Sequence, residues 1–115
     1  MQVREGGAVG REGVPRLRCV GRTLIERRLR DVSDRLKAVS RDVAVAQEQL
    51  AHLDEEADEA RLRALVSETP VSEQEHREAQ RHADAMRRHH EDLLAQLRQL
   101  ETAQDELLDR LVAAT

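Results

Sequence analysis

The 115-residue chain contains no Phe, Tyr or Trp. These side chains bury the most area in globular cores and binding pockets, so a thick core and an aromatic-lined ligand site are both excluded. Its single cysteine, Cys19, cannot form a disulfide within the chain and fits a reducing compartment. Apolar runs such as Val43 to Ala46 stop far short of the roughly 20 residues that cross a bilayer. The N-terminal arginines are not followed by the continuous apolar stretch a signal peptide needs. No membrane association and a cytoplasmic location are therefore the expectation.

Glycine and proline are scarce and unevenly placed. All five glycines (Gly6, Gly7, Gly10, Gly13, Gly21) lie in the first 21 residues together with Pro15, and Pro70 is the one other proline. Residues 1–22 show no helical period and read as a disordered, basic, Gly-rich tail. A GTG start codon at Val14 or Val20 is one explanation for its contrast with the rest. The tail carries five Arg against Glu5 and Glu12, a charge of +3, which leaves −7 for the remainder of a −4 chain. An acidic body with arginines interleaved among carboxylates argues against nucleic-acid binding by the helices. The tail retains at most a weak, salt-sensitive contact with nucleic acid.

What the chain does have is a repeat. From Ile25 to Ala64 apolar residues recur at alternating steps of four and three: Ile25, Leu29, Val32, Leu36, Val39, Val43, Ala46, Leu50, Leu53, Ala57, Ala60 and Ala64. Beyond Pro70 the spacing resumes as His76, Ala79, Ala83, Met86, His90, Leu93, Leu97, Leu100, Gln104, Leu107, Leu111 and Ala114. A sustained 3.5-residue period places these positions in one narrow seam per helix and pairs helices around it. Two such segments separated by a short break predict an all-α chain, two long helices folded into an antiparallel coiled-coil hairpin.

The expected boundaries are a helix over 23–66, a turn over 67–71 and a helix over 72–114. Thr23 with Glu26, and Ser72 with Glu75, have the spacing of a capping box. Thr69 before Pro70 is a competing start, with Pro at the first helical position. In an antiparallel seam, facing residues have numbers that sum to about 136. Leu53 then meets Ala83, Leu50 meets Met86, Ala46 meets His90, and Leu29 meets Leu107. Opposite charges beside the turn, Arg61 with Glu73 and Arg63 with Glu75, favour the fold-back, whereas Arg28 opposite Arg110 opposes it mildly.

Three sets of residues stand out as candidates for function. The tip, Ser67, Glu68, Thr69, Pro70 and Val71, is the natural point of insertion into a larger assembly. Leu94 and Leu108 flank the second seam, with Val112 close by, and widen its apolar stripe towards a homo-oligomer such as a four-helix bundle. His90 places a titratable ring in the seam, where desolvation favours the neutral form and makes the seam a candidate pH sensor. Gln104 is a second polar seam residue that helps fix register.

Glu73 and His76 have the Glu-x-x-His spacing found in di-iron bundles, but the pair occurs once and no second copy faces it. His82 and His89 share a face a full heptad apart, too far to hold one ion. No nucleophile motif, phosphate-binding glycine loop or zinc-finger spacing is present. We therefore expect no catalysis, no cofactor and no bound metal, and a partner that is a protein with a helical surface.

Two readings follow, a scaffold or adaptor acting through helix–helix contacts and a hairpin whose tip docks into a transcription or chaperone complex. In outline alone the hairpin is similar to RNA polymerase channel-binding factors and to chaperones such as prefoldin. The tip lacks the paired acidic residues of a metal-assisting polymerase factor, and no family is assigned.

Overall fold

The computed structural model describes the backbone of residues 5–114 and the side chains of residues 21–114. Two elements account for it: α1 (Glu5–Ser67) and α2 (Pro70–Ala114). The helices pack against each other as a helical hairpin. All 24 seam positions named above are buried or half-buried.

The contacts fall into two parts. In the part that holds the turn, residues 37–99, the buried apolar residues are Val39, Ala46, Ala57, Ala60, Ala83 and Leu93. Four of these six are alanines, and small side chains at a contact let helix axes approach. In the part that holds the chain ends, residues up to 36 and from 100, Leu107 is buried. Ile25, Leu29, Val32, Leu36, Leu100 and Leu111 are half-buried beside it. Among the described residues no large side chain is fully buried, as a two-helix seam without a second layer requires.

The turn is only Glu68 and Thr69. Glu68 adopts φ 55°, the left-handed conformation, and its N–H donates to the Ala64 carbonyl at 2.9 Å. This is the αL cap that usually holds Gly or Asn. Thr69 is the N-cap of α2, with Pro70 at the first helical position, where its missing N–H costs nothing. The Ser72 N–H donates to Thr69 Oγ1 at 3.1 Å, and the Thr69 N–H donates to Ser72 Oγ at 3.2 Å. The Thr69 hydroxyl donates to Ser72 Oγ at 2.9 Å, and the Ser72 hydroxyl donates to the Thr69 carbonyl at 3.0 Å.

Boundaries differ from expectation at both ends of α1 and at the start of α2. The second helix begins at Pro70 rather than Ser72, so Ser72 closes the capping box begun by Thr69 and is itself buried. The expected turn over 67–71 shortens accordingly. The first helix begins at Glu5, not Thr23. Gly6, Gly7, Gly10, Gly13 and Pro15 each weaken a helix, but extending an existing helix needs no new nucleus. Residues 1–4, and the tail side chains through residue 20, lie outside the described residues.

Candidate interaction surfaces

The tip gathers apolar surface that the seam does not use. The heptad places Leu62, Leu65 and Val66 off the seam, and the short cap leaves Val71 on the first turn of α2. These four side chains are between 56% and 83% exposed. Ser67, Glu68, Thr69 and Pro70 are exposed beside them. Leu62, Leu65 and Val66 stand three and four residues apart, on one helix face. Sequence reading singled out Val71 and overlooked the other three. The signal available was that three of the five residues from Leu62 to Val66 are large and apolar yet off the seam.

Two grooves flank the tip. One, of about 530 Å³, is lined by Arg61, Ala64, Leu65, Glu73, His76 and Arg77. The other, of about 310 Å³, is lined by Glu56, Glu59, Ala60, Arg63, Glu75 and Ala79. Arg61 shares a groove with Glu73, and Arg63 shares one with Glu75, without an ion pair forming within either couple. Glu56 lies 3.3 Å from His52 on its own helix.

An ion-pair network further along the hairpin escaped the sequence reading. Arg87 Nη2 donates to both carboxylate oxygens of Asp54, at 2.8 and 2.9 Å, and Nη1 donates to Asp84 Oδ1 at 3.3 Å. Asp54 follows the seam residue Leu53 and Arg87 follows Met86. An antiparallel seam brings such equivalent flank positions together.

The seam's polar residues are accommodated differently. Gln104 Nε2 donates to Ser33 Oγ on the other helix at 3.2 Å, so this polar seam residue has a partner across the pair. His90 is half-buried at its seam position.

In the part formed by residues up to 36 and from 100, a groove of about 330 Å³ is lined by Arg28, Asp31, Val32, Arg35, Ala103, Glu106, Leu107 and Arg110. Arg28 and Arg110, the like-charge pair noted in the sequence, thus flank one depression. Of the oligomer-face candidates, Leu94 is half-buried, whereas Leu108 and Val112 are 42% and 73% exposed.

Glu73 and His76 line the same tip groove. Among the described residues no group of three or more His, Cys, Asp or Glu is placed to hold a metal ion, and no helix is long and apolar enough to cross a membrane. No protein-family model matches the chain, and no curated protein or solved structure matches it.

Proposed function

We propose that this chain is a non-catalytic, cytoplasmic coiled-coil adaptor that engages a protein partner through its tip. The observation that carries this reading is the exposed apolar group of Leu62, Leu65, Val66 and Val71 around a two-residue turn. Leu62, Leu65 and Val66 share one face of α1, and exposed apolar surface of this kind beside polar grooves marks interaction sites. The seam is consumed by the hairpin itself, so helix–helix contact with a partner has to use surface outside it. Arg61 and Arg77 beside Leu65, against the single carboxylate of Glu73, favour a partner whose docking surface is apolar with acidic flanks.

The test is site-specific photo-crosslinking in the native cell. A crosslinker at Val66 is expected to capture a partner that one at Ala44, on the body of α1, does not. Substituting Ser at Leu65, Val66 and Val71 together, or scrambling residues 67–71, should abolish that capture while helicity is retained. Equal capture from Val66 and Ala44, or indifference to both tip changes, contradicts the reading.

A further inference from the structure

The part formed by residues up to 36 and from 100 carries two surfaces of opposite character. The groove has an apolar floor of Val32, Ala103 and Leu107, with Arg28, Arg35 and Arg110 around it. Its own carboxylates, Asp31 and Glu106, leave the lining at +1. The depression exists because Ala103 presents only a methyl group on the flank where Arg110 stands one heptad later.

On α2, Leu108 and Val112 form an exposed apolar ridge. Glu101, Asp105 and Asp109, spaced four residues apart, run beside it and are all exposed. At about 100° per residue, Leu108 and Val112 lie roughly half a turn around α2 from Ala103 and Arg110. The ridge and the groove therefore occupy opposite sides of the same helix. One is apolar with three carboxylates beside it, and the other is apolar with three arginines and two carboxylates around it.

We infer that the groove of one copy receives the Leu108–Val112 ridge of a second copy of this chain. Leu108 and Val112 cover Val32, Ala103 and Leu107, and Asp105 and Asp109 approach Arg28 and Arg35. Arg28 and Arg110, which repel each other within one copy, are both offset by the incoming acids. Because the two surfaces lie on opposite sides of α2, the contact is heterologous, and a two-fold dimer does not satisfy both surfaces. Assembly is therefore expected to continue past two copies as concentration rises. This contact uses none of the tip residues.

Charge exchange on the full chain tests it by sedimentation velocity in low salt and in 0.5 M salt. Wild type should show an average mass that climbs from the 13.1 kDa monomer with concentration, and less so in high salt. The pairs R28E with R35E, and D105R with D109R, should each weaken self-association roughly tenfold or more, since each turns two attractions into repulsions. An equimolar mixture of the two variants should restore it, because each reversed groove then meets a reversed ridge. If a reversed chain loses helicity, L108S with V112S carries the test and must stay monomeric where wild type assembles. A wild type that remains monomeric at high micromolar concentration overturns the inference. So does a mixture that associates no better than its components.

Discussion

Arg87 reaches across the hairpin to Asp54, its Nη2 lying 2.8 and 2.9 Å from the two carboxylate oxygens. Asp84, on its own helix, steadies the same guanidinium at 3.3 Å. Both partners of the cross-helix pair are more than 40% exposed, so solvent screens their attraction. A double-mutant cycle of Asp54→Ala and Arg87→Ala should give a coupling of about 0.2–1 kcal/mol, smaller in 1 M salt. A coupling indistinguishable from zero at low salt means the pair does not persist in solution.

Glu68 holds a conformation that suits glycine. A non-glycine residue in the left-handed region is strained by about 1–2 kcal/mol, partly offset in a Glu68→Gly variant by the greater freedom of the unfolded chain. Glu68→Gly should therefore raise stability by about 0.5–1 kcal/mol in thermal or urea unfolding. A destabilised variant would show that the turn does not hold Glu68 at positive φ.

Thr69 caps α2 through its side chain, and Ser72 returns the bond. Thr69→Ala should cost about 1 kcal/mol. Thr69→Asn, which keeps an acceptor, should retain most of that stability. Equal loss in both variants assigns the effect to packing instead of capping.

How far the molecule could be read from its sequence depended on which signal each feature left. The seam was legible throughout, because the 3.5-residue period leaves an apolar mark at every step from Ile25 to Ala64 and at nine of the twelve steps beyond Pro70. The start of α2 was ambiguous because Thr69–Pro70 and Ser72–Glu75 are overlapping capping signals. The first placed Ser72 inside the helix and won. The Asp54–Arg87 pair was missed because exposed flank charges are plentiful, and the charge pairs weighed lay mostly beside the turn. Leu62, Leu65 and Val66 were missed for a related reason, since isolated surface Leu and Val are ordinary. It is their place on one exposed face in the last turns of α1 that sets them apart.

Polar residues in a seam exchange stability for register. Gln104→Leu and His90→Leu are each expected to raise the melting temperature at pH 7.5. Gln104→Leu should also broaden the distribution of association states, because it removes the bond to Ser33. A lowered melting temperature in either variant would mean that the polar side chain is better accommodated than an apolar one at that position.

The fold-back itself is tested most directly by cross-linking. Leu53 and Ala83 face each other in the register that pairs residues summing to about 136, one position before Asp54 and four before Arg87. In a Cys19→Ser background, Leu53→Cys with Ala83→Cys should be joined by a short bis-maleimide into a cross-linked monomer, at a yield independent of dilution. Cross-links found only between chains, and fading as the protein is diluted, would contradict the hairpin.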